Sequence, residues 1–243
     1  MNKVLAVLVN YGDGQLNYLE QVVNSLKSFK KYEVTVIVNS NIPLDIKGID
    51  HINVIKLKNY QLLPLTCRRV LWDHREDFDI FIFGENDHLF LEHHIDRHLE
   101  YIEILPKNRI SGLIQHEDNQ SVRYYPAYHG RYGWDYNSVE DYSGKKFAHF
   151  TNIHQASFII TQEQLFRIGQ MHDFTQFFGD SHYSLKCKVN TDIYQFCDMQ
   201  KVICISDFKD NVIHHLPDKY IDHSLKIKSD KEMQDDLLNL LNK

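Results

Sequence analysis

Glycine and proline are scarce in this chain, at 10 and 5 of 243 residues. Without clusters of them there is no flexible linker and no low-complexity segment, and no internal repeat is visible. A basic stripe is missing as well. Lys and Arg number 27 against 33 Asp and Glu, mixed along the chain, for a formal net charge of -6. Nucleic-acid binders gather cations to neutralise phosphates, so no nucleic-acid partner is expected. The apolar run near the N-terminus, Val4 to Val9, is too short for the core of a signal peptide or for a membrane span. A cytoplasmic chain with no transmembrane segment is the expectation, and attachment to a membrane surface stays open. The four cysteines, Cys67, Cys187, Cys197 and Cys204, form no CxxC pair. That argues against cysteine-bound zinc and for reduced thiols.

What is present is ordinary globular composition, 43% hydrophobic and 25% charged. Residues 3–9, KVLAVLV, are β-branched and apolar on both faces, as in a strand of a parallel sheet covered on both sides. Leu16, Leu19, Val22, Val23, Leu26 and Phe29 then recur at helical spacing. VTVIVNS at 34–40 and INVIKL at 52–57 read as strands, 62–74 as a helix, and 79–83 as a strand. Strand and helix thus alternate through residues 1–90, the order of βαβ units. Beyond that, Ile95, Leu99, Ile102 and Leu105 mark a helix, RISGLIQH at 109–116 a strand, and 117–150 a long tyrosine-bearing loop region with room for short strands. ASFIIT at 156–161 is a strand. Thr161 and Gln164 match a capping box that opens a helix to about Met171. KVICIS at 201–206 is another strand, and a helix on Met233, Leu237, Leu238 and Leu241 ends the chain. The expected fold is one α/β domain over 1–243. A mostly parallel central sheet is flanked by helices: a nucleotide-binding half at 1–90, a less regular acceptor-side half at 91–220, and a C-terminal helix within 221–243.

The stretch FDIFIFGENDHLF at 78–90 carries the chemistry. Ligands of open parallel sheets bind beyond the carboxyl ends of the strands, and Glu85 and Asp87 lie just past such an end. If the chain stays extended there, residues two apart share a face, roughly 7 Å apart from a rise of about 3.3 Å per residue. Two carboxylates so placed are hard oxygen ligands for magnesium or manganese, and Gly84 lets a ligand approach the backbone. The plain alternative is a pair of solvated loop acids. Asn10 and Tyr11, after the first strand, have the groups to hydrogen-bond to and stack on a base, or are simply loop residues.

These stretches, taken in order, resemble the nucleotide-sugar-dependent glycosyltransferases of the GT-A fold. VLAVLVNYGDGQLNYLEQVVNSL is similar to that family's first strand, base-binding loop and first helix, and VTVIVNS ends in Asn39 and Ser40 where a nucleotide pocket is expected. LTCRRVLWDHREDFDIFIFGEND resembles the stretch from a diphosphate-proximal arginine to the DxD motif, here ExD because Glu85 replaces the first aspartate. The resemblance implies Asn10, Tyr11, Asn39, Arg69 and Glu85 as donor-binding residues, with Arg68 competing for the role of Arg69. It implies Asp87 as metal ligand, and His214 or His215 of ISDFKDNVIHHLP as a further one. Asp192 of NTDIYQFC stands where inverting members carry the catalytic base; its alternative is a helix cap, since Asn190, Thr191 and Asp192 all cap well. Trp134 and Tyr132 would offer aromatic faces to an acceptor, against the alternative of packing under the loop.

The implied activity is transfer of a sugar from a nucleotide-sugar donor to a hydroxyl of a glycan or glycolipid, in surface polysaccharide synthesis, with Mn2+ or Mg2+ as cofactor. Two rivals are a sugar-nucleotide nucleotidyltransferase, for which no glycine-rich G-x-G follows the first strand, and a non-catalytic nucleotide- or glycan-binding protein on the same scaffold.

Overall fold

The computed structural model describes residues 1–120, 122–126, 133–220 and 227–243. In chain order the elements are β1 (Asn2–Asn10), α1 (Leu16–Lys27), β2 (Tyr32–Ser40), β3 (His51–Val54), α2 (Leu63–Asp73), β4 (Ile80–Glu85) and β5 (His88–Leu89). Then come α3 (Glu92–Ile104), β6 (Arg109–Ser111), β7 (Ile114–Asn119), β8 (Val122–Pro126), β9 (Trp134–Tyr142) and β10 (Lys145–Phe150). The chain closes with β11 (Ser157–Thr161), α4 (Gln162–Met171), α5 (Leu185–Gln195), β12 (Gln200–Cys204), β13 (Val212–His215), β14 (Ile227–Ser229) and α6 (Asp230–Leu241). The fold is mixed α/β. Among the described residues no helix is long and apolar enough to cross a membrane.

The chain divides into two compact units, one of Met1–Glu92 with Ala156–Cys197, the other of His93–Gln155 with Asp198–Lys243. The first division falls between Glu92 and His93. The return of 156–197 to the first unit does not follow from the sequence order, which groups that stretch with the second half.

The first unit is built on one sheet in the order β11-β4-β1-β2-β3. Its pairs are parallel except β11 on β4. β1 is central because it is apolar on both faces; Val4 to Leu8 are fully buried. α1 buries Leu19, Val22, Val23 and Leu26, the stripe its spacing predicts. Thr161 and Gln164 form the expected capping box on α4. Gly84 has a different reason from the one expected. It lies within β4, and a Cβ there would sit 2.7 Å from the Phe90 ring and 3.2 Å from Leu8. Core packing, not the approach of a ligand, requires this glycine.

The second unit holds two sheets. One runs β6-β12-β10-β9; in the other β14, β8, β7 and β13 lie side by side. RISGLIQH is therefore two strands in different sheets, broken at Gly112. The expected loop region contains β8, β9 and β10. β9 and β10 form a hairpin, closed by Ser143 at φ 52° and Gly144 at φ 80°. Two successive positive φ values give the turn whose twist matches paired strands. Trp134, Tyr125 and Phe208 meet Met233, Leu237 and Leu240 of α6 in a common core.

The buried face of α3 also differs from expectation. It carries His94, Ile95, His98 and Tyr101, because two histidines find partners: His94 with the Val212 carbonyl at 3.0 Å and His98 with Ser111 at 3.0 Å. Burial pushes the His94 pKa down to about 3. An unfolded histidine titrates near 6.5. The unfolded chain therefore binds more protons below that pH, and stability falls as pH drops from about 6.5 toward 3. His94→Gln is expected to lose less stability than wild type between pH 7 and 5 in urea denaturation; equal losses would refute this source of the acid sensitivity.

Candidate functional site at the carboxyl edge of the parallel sheet

β1 continues to β2 and β3 on one side, and the chain then crosses to β4 on the other. The crevice between β1 and β4 is thus a topological switch point, where sheets of this kind bind ligands. Asn10 ends β1, Ser40 ends β2 directly beside it, and Glu85 ends β4 opposite Val9.

A buried amide network holds this edge. Asn10 Nδ2 donates to the Gly12 carbonyl at 2.9 Å and to Ser40 Oγ at 3.2 Å, while its Oδ1 accepts from Asn86 Nδ2 at 2.7 Å. Gly12 donates its N–H to Asn41 at 2.7 Å and takes φ +71°, a conformation side chains resist. Asn39 donates to Thr66 at 2.8 Å and accepts from Asn53 at 2.9 Å. Asn10 and Asn39 are buried, each with its amide bonded to neighbouring side chains. Asn10 braces the loop that presents Tyr11, and Asn39 ties β2 to α2 and β3. Tyr11 is 63% exposed, and its ring lies 5.3 Å from that of Tyr60.

Glu85 and Asp87 do not share an extended segment. The chain turns at Asn86 and Asp87, so the two carboxylates separate: Glu85 is half-buried at the strand end and Asp87 is buried in the turn. Asp87 Oδ2 accepts from Gln15 Nε2 at 2.9 Å. His88 follows at once, and one of its ring nitrogens lies within 4.8 Å of an Asp87 carboxylate oxygen. His88, Gln15, Asn86 and Tyr60 were not singled out from sequence; only the histidine adjoining the acids carried a readable signal. A carboxylate and an imidazole side by side offer the mixed oxygen and nitrogen donors that suit manganese.

Arg69 lies on the outer face of α2, exposed, with Nε 3.0 Å from Asp73 one turn on. It makes the surface pair that was the alternative to a diphosphate contact. Arg68 is the buried one. Its guanidinium donates to the carbonyls of Val189 and of Gln176, the latter at 2.7 Å, and lies 4.4 Å over the Phe178 ring. Its Nη2 is 3.4 Å from Asp192 Oδ2, with both side chains at zero exposure. Asp192 is neither at a helix start nor open to an acceptor. α5 begins after Ser184, and Asp192 sits in its C-terminal half, also accepting from the Phe178 N–H at 3.1 Å. Burial pushes its carboxyl up and the Arg68 guanidinium down to about 10. A general base must reach the hydroxyl it deprotonates; Asp192 here is buried and paired with Arg68.

In the second unit, Trp134 is 6% exposed, edge-on to Phe150 at 5.1 Å and Phe208 at 6.3 Å. It packs in the core, the alternative to an acceptor-facing ring. Tyr132 lies outside the described residues. β13 runs parallel to β7 with His214 opposite His116. Successive strand residues face opposite ways, so His214 and His215 part company. His214 stacks on His116 at 4.8 Å, whereas buried His215 bonds Glu117 at 2.6 Å and stacks on Tyr220.

No protein-family model matches the chain, and no curated protein matches it in sequence. Among solved structures it is similar to S. aureus TarS 1-349, with TM-score 0.49 and 13% identity over 88% of this chain and 60% of that one. The chain thus spans less than two thirds of the TarS chain it matches.

Proposed function

We propose that the first unit binds a nucleoside diphosphate at the β1–β4 switch point, and that the chain is a transferase of the nucleotide-sugar class. More particularly, it is read as a GT-A-like glycosyltransferase that moves a sugar to a hydroxyl of a glycan or glycolipid. The observation that carries the reading is the turn at Asn86 and Asp87, tied by Asn86 to Asn10 across the switch point. That bond fixes an acidic, metal-capable turn beside the loop that exposes Tyr11.

In this reading the Tyr11 ring stacks on the base, with Tyr60 supporting it from behind. Glu85 accepts from hydroxyls of the ribose or sugar. Asp87 and His88 would hold Mn2+ or Mg2+, which would neutralise charge on the diphosphate leaving group. Gln15 fixes the Asp87 carboxylate. A bound donor held in this frame presents its anomeric carbon to an incoming hydroxyl, and positioning removes much of the entropic barrier.

Calorimetric titration of nucleoside diphosphates, with and without Mn2+, tests the reading. Binding is expected to need the ion. Asp87→Ala is expected to abolish that dependence, and Tyr11→Ala to weaken binding about tenfold, within the roughly 1–3 kcal/mol of one base–aromatic stack. Binding that ignores both the metal and Asp87 would overturn the site. Release of pyrophosphate from a nucleoside triphosphate and a sugar phosphate would instead identify the nucleotidyltransferase rival.

A further inference from the structure

We infer that the second unit carries its own site for a divalent transition-metal ion, formed by His116, Asp118 and His214. It is separate from the donor site above and does not depend on that reading. His116 and His214 occupy matched positions on the parallel strands β7 and β13, and their rings are stacked 9° from coplanar. Asp118, two residues along β7, emerges on the same face, and the His116 Nδ1 lies 3.2 Å from its Oδ1. One ligand atom from each of the three side chains lies within 4.8 Å of the others.

Two imidazoles and one carboxylate form a donor set that binds zinc, cobalt, iron or manganese and leaves coordination positions open. The two histidines project from paired strands, which fix their positions better than loops do. A metal–nitrogen bond of about 2.0–2.1 Å requires the three groups to close in by roughly an ångström. Exposed Asp118 has the freedom to do so. The histidines are available as ligands, because burial lowers the pKa of both and brings His116 to about 4.

Two further observations give the site a direction. Asp118 lines a cavity of about 640 Å³, bordered also by Arg123, Tyr125, Lys209 and Asp230. A metal held by Asp118 would therefore lie at the border of a space large enough for a small ligand, with two cations at its rim. Arg123 meanwhile holds the Asp118 carboxylate, with Nε on Oδ1 at 3.1 Å and Nη2 on Oδ2 at 3.3 Å. The guanidinium sits where the ion's charge would act on that carboxylate, so metal and Arg123 compete for it. Glu117 and His215 occupy the opposite face of the strands and bond each other; they take no part.

The test uses the full chain stripped with chelator and titrated with Co2+, whose visible absorption reports a low-coordinate nitrogen and oxygen environment. Wild type is expected to develop the band with one equivalent assigned to this site. Asp87→Ala is expected to retain it. His214→Gln and Asp118→Asn are expected to weaken that binding by more than about 10–100-fold, the loss seen even for outer partners of metal ligands. Arg123→Met is expected to tighten it by releasing the carboxylate. Asp118 is exposed, so Asp118→Asn folds normally and keeps the test decisive if His214→Gln does not. Absence of a band in wild type, or a band unchanged in both His214→Gln and Asp118→Asn, overturns the proposal. Loss of the band in Asp87→Ala would show that the ion belongs to the donor site instead, and would overturn it equally.

Discussion

Arg68→Met is expected to cost the chain about 3–5 kcal/mol of stability, the range for breaking one side of a buried ion pair. The guanidinium fills a closed pocket made of backbone carbonyls from 176 and 189, the rings of Phe174 and Phe178, and Asp192. Methionine replaces its volume but donates no hydrogen bond. The carbonyls lose their donors, and the Asp192 carboxylate, at zero exposure, loses the guanidinium it pairs with and keeps only the weaker influence of Lys188. Asp192 Oδ1 already has no hydrogen-bond partner among the described residues, so the carboxylate has little else to lean on. Adding Asp192→Asn to Arg68→Met removes the uncompensated charge and should recover part of the loss. The double-mutant cycle is then strongly coupled. Urea denaturation of the four chains gives the result. A loss below about 1 kcal/mol for Arg68→Met, or additive effects of the two changes, would show that the pair is not a structural strut. Asp192→Asn alone separates this role from catalysis: a strut lowers stability, whereas a base would lower turnover in a chain as stable as wild type.

The parts legible in the sequence were those whose partners are local or whose burial is complete. β1 and β4 announced a parallel sheet because both of their faces are apolar. α4 showed its start because a capping box needs only Thr161 and Gln164. The hairpin of β9 and β10 was lost among polar, tyrosine-bearing residues, although Ser143-Gly144 was a turn signal in plain sight. α3 was turned on its axis because His94 and His98 count as polar in any periodicity, and only the fold reveals the Val212 carbonyl and Ser111 that make their burial tolerable. The site divides the same way. The carboxyl end of β4 could be located, since strand order and apolar runs fix it. Which arginine was buried could not, because the partners of Arg68 lie more than a hundred residues away. His116 beside His214 is likewise a product of strand register, which no local pattern encodes.

The opposite sign of effect is expected at Lys201. Lys201→Met should stabilise the chain at pH 7, by an amount bounded near 4 kcal/mol at 1.36 kcal/mol per unit of pKa shift. The residue is 2% exposed in β12, its stem packed so closely over Gly112 that a Cβ there would come within 2.5 Å of it. Its Nζ reaches the His154 carbonyl at 3.4 Å. Desolvation brings its pKa down to about 7, whereas in the unfolded chain the value is near 10.4. Between those values the unfolded state binds more protons, so wild-type stability rises as pH increases from 7 to about 10, and the cost is complete below 7. Methionine has nearly the same length and no proton to lose, so its advantage should be largest at and below pH 7 and fade as pH approaches 10. Denaturation midpoints of the two chains at pH 7 and pH 10 decide the matter. If the difference does not depend on pH, burial of the ammonium is not what Lys201 costs the fold. If Lys201→Met is the less stable chain at pH 7, the lysine's contacts outweigh its desolvation.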